Sequence, residues 1–257
     1  MVKIIVTGSE GFVGKALVTK LKKRNDVEVI CIDRLIGIEA DTIGEYMDDS
    51  VMAVFHLAAQ TSVFNTDLKQ IERDNIATFI EVVDQCNKYN VRLVYASSST
   101  ANDGNTTSLY GLSKRFDEEF ASMYAKNAIG VRLHNVYGHE QRHGTLLNIL
   151  MTQPEVTLFN NGQNVRCFTY IDDATDGLIA AYGYTDYRRK IVNVVNFEPI
   201  TIKAFAEEVQ KYNDVKLVLD PNRRERDNVT QSVDGKVFTI PVTYRSYREG
   251  LKSIFKK

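Results

Sequence analysis

The chain has 257 residues, 44% of them hydrophobic and 25% charged, with a formal net charge of −1. That length can bury one large core, or a main lobe with a smaller appendage, and the charge balance leaves no basic excess to hold nucleic acid or an anionic membrane. The apolar runs are too short to span a bilayer, the N-terminus enters a strand without a signal peptide, and Cys31, Cys86 and Cys167 lack metal-like spacing, so a cytoplasmic protein with reduced thiols is expected.

Val2 to Val6 is a β-branched, apolar run of the kind buried on both faces of a sheet. Thr7-Gly8-Ser9-Glu10-Gly11-Phe12-Val13-Gly14 then turns the chain into a helix, with Val13, Leu17, Val18 and Leu21 on one face and lysines on the other. A glycine-rich turn from strand to helix aims unpaired N–H groups and the positive helix end at an anion, commonly dinucleotide pyrophosphate. The spacing here is G-x-x-G-x-x-G, which on its own also fits an ordinary turn. A second strand, Val27 to Ile32, ends at Asp33, where a carboxylate can accept both adenosine ribose hydroxyls and repel a 2′-phosphate. Asp33 therefore favours NAD over NADP, with Arg34 beside it as an opposing charge.

Leu35 to Ser50 is too short for a full helix–strand–helix, and Val51 to Ala59 reads as the next buried strand. Ile71 to Tyr89 is predicted helical, with Ile76, Phe79, Ile80, Val83 and Cys86 on one face. A strand at Arg92 to Ala96 runs into Ser97-Ser98-Ser99-Thr100, and a polar loop leads to a helix over Ser108 to Asn127. A further strand, Ile129 to Leu133, ends at His134-Asn135. This alternation predicts an α/β fold: a Rossmann-type doubly wound parallel sheet with a small C-terminal substrate lobe. Beyond Tyr137 the pattern breaks into a helix at Leu146 to Met151 and strands at Val156 to Phe159 and Cys167 to Ile171. A helix over Asp173 to Tyr184, a strand at Ile191 to Val195 and a helix over Thr201 to Tyr212, N-capped by Thr201, follow. A strand near Lys216 to Leu219, an Arg-rich loop and a short terminal helix end the chain. The expected division is an NAD-binding lobe over residues 1–140, to which 166–197 return, and a substrate lobe over 141–257.

Tyr110 and Lys114 stand one turn apart on one helix face, where the ammonium would favour phenolate and general-base chemistry. Tyr212 and Lys216 share the spacing, but that pair runs from a helix end toward a strand. Tyr110 instead follows a serine cluster at the end of a sheet strand, where doubly wound folds collect ligands.

Together these segments resemble the extended short-chain dehydrogenases/reductases, in particular the sugar-nucleotide epimerase/dehydratase group typified by UDP-glucose 4-epimerase. TGSEGFVG resembles the family's cofactor turn, and His56 to Val63 (HLAAQTSV) its segment beneath pyrophosphate and nicotinamide. Asn75 with Thr78 matches N-x-x-T, and Arg132 to Gly138 matches R-x-x-N-x-Y-G. Arg166-Cys-Phe-Thr-Tyr-Ile-Asp-Asp resembles R-D-F-x-Y-V-x-D, and Arg224-Glu-Arg-Asp227 the late R-x-G-D. The resemblance implies cofactor contacts from Gly8, Gly11, Phe12, Val13, Gly14, Asp33, Arg34, Leu57, Ala58 and Ala59, and catalysis by Ser99, Tyr110 and Lys114, the last two also touching NAD. It implies sugar-nucleotide contacts from Ser99, Asn135, Phe159, Arg166, Arg224, Asp227 and Gln231, and a homodimer. The loops over residues 34–55 and 100–109 are shorter than the family's, and Cys167 and His139 replace its usual Asp and Pro.

The activity so implied is NAD-dependent epimerisation of a nucleoside-diphosphate hexose, at C4 through a 4-keto intermediate. Dehydratases of the family carry Thr-Asp-Glu at the serine position, whereas here Ser-Ser-Ser-Thr-Ala-Asn has no carboxylate before Asp103. Reduction of a keto sugar, dehydration, and a non-catalytic NAD-binding regulator on the same fold stay as alternatives. His139-Glu-Gln-Arg-His143 formally matches the H-E-x-x-H zinc motif, but Gly138 and Gly144 bracket it and no histidine follows. It reads as a loop, and no metal is expected.

Overall fold

Along β1 (Val2–Thr7), Ile4 and Val6 pack into one core layer and Ile5 into the other, so the strand is buried on both faces. The computed structural model describes residues 1–102, 104–140, 143–186, 188, 190–223 and 230–256. The first half continues with α1 (Phe12–Leu21), β2 (Val27–Ile32), β3 (Val51–His56), α2 (Leu68–Ile71), α3 (Thr78–Lys88), β4 (Arg92–Ser98), α4 (Leu109–Tyr124) and β5 (Ala128–Leu133). The second half holds β6 (Val136–Tyr137), α5 (Leu146–Thr152), β7 (Glu155–Phe159), β8 (Val165–Cys167), β9 (Thr169–Tyr170) and α6 (Ile171–Tyr182). It ends with β10 (Ile191–Val194), β11 (Pro199–Thr201), α7 (Ile202–Gln210), β12 (Lys216–Asp220) and α8 (Tyr247–Phe255).

Six parallel strands form one sheet in the order β10-β5-β4-β3-β1-β2. Thr7 lies level with Ile32 on one side and His56 on the other, so β1, β2 and β3 end together. Because β2 and β3 flank β1, the chain winds away from β1 in opposite directions and opens a crevice at these carboxyl ends. Leu17, Val18 and Leu21 of α1 and Ala174, Leu178 and Ala181 of α6 fill one face. Phe79, Val82, Val83 and Cys86 of α3, with Ala121 of α4, fill the other. Each such buried side chain contributes about 1.5–3 kcal/mol relative to exposure.

Three segments depart from the simplest reading. Residues 34–50 form two 3₁₀ turns, Arg34–Ile36 and Ala40–Tyr46, whose Ala40 and Ile43 are buried against the sheet, so β2 is its edge. The helix expected over Ile71 to Tyr89 is interrupted by a π-turn at Glu72–Ala77, and the polar Asp74 and Asn75 are buried there. The strand expected over Cys167 to Ile171 is split, because β8 pairs with β11 while β9 pairs with β6. A separate core of Tyr137, Leu150, Leu158, Phe168, Phe205, Val209 and Leu251 joins the second-half elements, with Phe168 and Phe205 stacked at 4.0 Å. β10 returns to the main sheet beside β5. Among the described residues, no helix is long and apolar enough to cross a membrane.

Candidate active site

A cleft of about 670 Å³ is lined by the residues that follow β1, β3, β4 and β5. At one end lie Gly11, Phe12, Val13 and Gly14, where Gly11 is the N-cap of α1 and supplies no side-chain cap. The N–H groups of the first turn are therefore unspent on any cap, which suits a pyrophosphate. Gly8 has φ +69°, and a Cβ on it would lie 2.6 Å from the Ala58 nitrogen. A Cβ on Gly14 would lie 2.0 Å from the Gly8 carbonyl oxygen. These two glycines thus make room for the protein's own backbone, and with Gly11 they also line the cleft.

Asp33, Arg34, Leu57, Ala58 and Ala59 also line this end. Asp33 Oδ1 accepts from the Leu35 N–H at 2.9 Å and Oδ2 from the Glu10 N–H at 3.0 Å. Each oxygen keeps a further lone pair, so the carboxylate can still accept ribose hydroxyls. These groups fit the adenosine half of a dinucleotide.

The π-turn connects this wall to the next helix. Asn75 accepts from the Gln60 N–H at 2.7 Å, donates back to the Gln60 carbonyl at 3.0 Å, and donates to Ser113 Oγ at 2.9 Å. Ser113 Oγ in turn donates to the Tyr110 carbonyl at 2.9 Å. A buried asparagine thereby fixes the first turn of α4, whose N-cap Ser108 accepts from the Gly111 N–H at 3.1 Å.

Ser99 and Tyr110 line the cleft, and Asn105 Nδ2 holds the Ser99 carbonyl at 2.9 Å. Lys114 lies one turn further along α4, with Nζ 3.0 Å from Asp117 Oδ2 and both side chains buried. Burial, the largest single influence, would lower the Lys114 pKa, but Asp117, Tyr110 and Glu118 together outweigh it and the net direction is up. Burial raises Asp117 to about 6, against the pull of Lys114. Next to this pair, Glu118 accepts two bonds of 2.7 Å from Arg132 and one of 2.5 Å from Ser97 Oγ. His56 shares a 2.8 Å bond with Thr7 Oγ1, and burial, aided by the Lys114 charge, pushes it down to about 3, so it is neutral.

At the far end, Asn135 and Gln231 line the cleft and bond at 2.8 Å, Nδ2 to Oε1. Asn135 has φ +35°, an uncommon left-handed conformation. Phe159 on β7 and Arg166 on β8 are not part of the cleft lining; Arg166 Nη1 donates to the Val165 carbonyl at 2.8 Å. Arg224 and Asp227 lie outside the described residues. The cleft also takes in residues that sequence reasoning passed over. Leu146, Leu147, Phe168 and Phe205 add apolar side chains to the lining, and Glu39, Gln60 and Asp74 polar ones. His139 and His143 are exposed, and between them Gln141 and Arg142 lie outside the described residues. No cluster of three or more His, Cys, Asp or Glu residues suited to a metal occurs among the described residues.

A crevice at the carboxyl ends of a parallel sheet, with Ser99 and Tyr110 in its wall and Lys114 buried outside its lining, belongs to an α/β fold of the nucleotide-binding kind. The profile of the NAD dependent epimerase/dehydratase family matches residues 4–194, and the chain belongs to that family. The chain is 27% identical to the uncharacterized UDP-glucose epimerase YtcB of Bacillus subtilis strain 168, over 78% of each protein. In fold it is similar to MoeE5 in complex with UDP-glucose and NAD, with a TM-score of 0.84 at 22% identity, covering 99% of this chain and 97% of that one. UDP-glucuronic acid 4-epimerase of Bacillus cereus gives 0.83 at 20% identity, covering 98% of both chains.

The buried histidines set an acid limit. Burial, with Arg132 nearby and Asn193 opposing, lowers His134 from 6.5 to about 4. The unfolded chain binds that proton near pH 6.5 and the folded one only near 4, so the contribution is full above 6.5 and lost as pH falls. Asp117 has the opposite sign, losing stability as pH rises from 3.8 to about 6. Replacing His134 by Phe should flatten the fall in unfolding free energy between pH 6 and 4.5 by about 1.4 kcal/mol per pH unit. Urea titrations across that range measure it, and an unchanged slope would contradict a neutral buried imidazole.

Proposed function

We propose that the protein epimerises a nucleoside-diphosphate hexose, a UDP sugar, at C4 through a transient 4-keto sugar. The observation that carries this reading is one continuous cleft lined by Gly11 and Asp33 at one end and by Ser99, Tyr110 and Asn135 at the other. When bound, NAD supplies a reversible hydride acceptor for the reacting carbon. Tyr110 Oη takes the proton from the sugar hydroxyl on that carbon and later returns it. Ser99 Oγ hydrogen-bonds the same oxygen. Lys114 spends one N–H on Asp117, leaving two for the nicotinamide ribose. Asn135 and Gln231, which line the cleft, serve the sugar nucleotide, with Arg224 and Asp227 by resemblance to the family. Thr100, Ala101 and Asn102 supply no carboxylate beside Ser99, which favours epimerisation over loss of water.

Purified protein given NAD and UDP-glucose should form a product of unchanged mass. Tyr110→Phe should abolish turnover while retaining fold and NAD binding, whereas Tyr212→Phe, stacked on Phe255 away from the cleft, should be nearly silent. Equal loss in both variants would sink the assignment.

Gln231 offers an amide at the sugar end and is smaller than tyrosine, which suits tolerance of an N-acetylated hexose. Gln231→Tyr should shift preference toward the plain sugar by about 1–3 kcal/mol in relative kcat/KM. An unchanged ratio would show that Gln231 is not the gate.

A homodimer completes the proposal. Leu112, Phe116, Phe120 and Tyr124 run along α4 at four-residue spacing, with the three rings stacked at 5.6 and 4.8 Å. Leu112 is 55% exposed, Tyr124 62% and Leu68 on α2 61%, an apolar face suited to a second copy. Light scattering at micromolar concentration should give twice the chain mass; a monomer would count against it.

A further inference from the structure

Arg34 directly follows the ribose-type carboxylate at the end of β2, the neighbourhood in which an arginine can receive a 2′-phosphate. Its guanidinium is already engaged. Nη1 lies 3.1 Å from Asp74 Oδ2 and Nη2 3.3 Å from Glu39 Oε2. Asp74 is itself fixed, with Oδ1 accepting from Arg73 Nε at 2.7 Å and Oδ2 from Gln60 Nε2 at 3.2 Å. Burial works against its charge, yet the bonds from Arg73, Arg34 and Gln60 hold its pKa at about 2. Asp33, Arg34, Glu39 and Asp74 all line the cleft, so three carboxylates there surround one guanidinium.

We propose that Glu39 and Asp74 determine the preference for NAD over NADP, by keeping Arg34 occupied and by adding negative charge at the adenosine end. Asp33 alone would leave an adjacent arginine free to offset its repulsion of a 2′-phosphate. With Arg34 committed to two carboxylates, that offset is removed, and discrimination is built against the wrong cofactor as well as for the right one. The π-turn is what brings this about, because it turns Asp74 inward at the level of Gln60. This inference rests on the reading of the Asp33 end as the adenosine site.

The test is a cycle of dissociation constants for NAD and NADP, measured by calorimetry on the purified protein without sugar. Glu39→Gln with Asp74→Asn should tighten NADP about tenfold or more and change NAD by less than about threefold. Arg34→Ala should leave NADP binding almost unchanged in the wild-type background and cancel the gain in the double variant. Glu39→Gln alone, at an exposed position, should give about a threefold gain with an unchanged melting temperature, which covers the case of a misfolded Asp74 variant. The inference is overturned if Glu39→Gln, or a folded double variant, binds NADP no better than wild type. It is equally overturned if Arg34→Ala weakens NADP as much in wild type as in the double variant. Asp33→Ala separates the two readings: unchanged NAD binding means that the adenosine site lies elsewhere, whereas weakened NAD binding with a flat Arg34 cycle refutes this inference alone.

Discussion

The structure depends on a contact in which no side chain takes part. The turn after β1 lies against the end of β3 so closely that the Gly8 α-carbon has only backbone atoms of Leu57 and Ala58 where a Cβ would be, and the start of α1 lies against Gly8 in the same way. Any methyl group there would push β1, β3 and α1 apart. Because β1, β2 and β3 end at one level, that approach also decides where the crevice opens and which N–H groups face it. The glycine pattern is therefore first a packing device, and the same three glycines, Gly8, Gly11 and Gly14, line the cleft at the helix end.

The other half of the cleft is held by buried charge. Lys114 with Asp117, and Arg132 with Glu118, sit between α4 and the strands β4 and β5. Buried ion pairs rarely add net stability over an apolar equivalent, since desolvation offsets most of the attraction. What they do impose is geometry: Glu118 is tied to Arg132 on β5 and to Ser97 on β4, so α4 cannot slide or rotate without breaking those bonds. Tyr110 and Ser99 come from different elements, and this ladder, with the Asn75–Ser113 bond, keeps them on one wall.

Much of this was readable in the amino-acid order. The sheet strands betray themselves by unbroken apolar runs, and α1 and α7 by apolar spacing, so their existence and type follow from local pattern. Gly11, Asp33, Ser99 and Asn135 follow because each stands within a few residues of a strand end, and Tyr110 from its one-turn spacing to Lys114 on α4. The π-turn was not legible: adding one residue per turn depends on what Asp74 and Asn75 meet across the cleft, and nothing local encodes it. Asp117 escaped for the same reason, since one acid among several on a polar-looking helix declares its burial only when the helix is packed and its lysine partner is buried with it. The distance of Phe159 and Arg166 from the cleft lining reflects how the second-half strands pair, which is a tertiary matter.

The return of β10 to the sheet has a bearing on how the chain reaches its native state. Its neighbour β5 ends at Leu133, yet β10 begins only at Ile191, with β6 to β9, α5 and α6 lying between them in the chain. Asn193 on β10 then donates its N–H to Phe238 and accepts from Ile240, so even the sheet's outer margin waits for the last part of the chain. A chain that stopped anywhere between residues 140 and 190 would lack this edge strand and leave β5 bare. No ribosome-bound prefix short of residue 194 holds the complete six-stranded sheet.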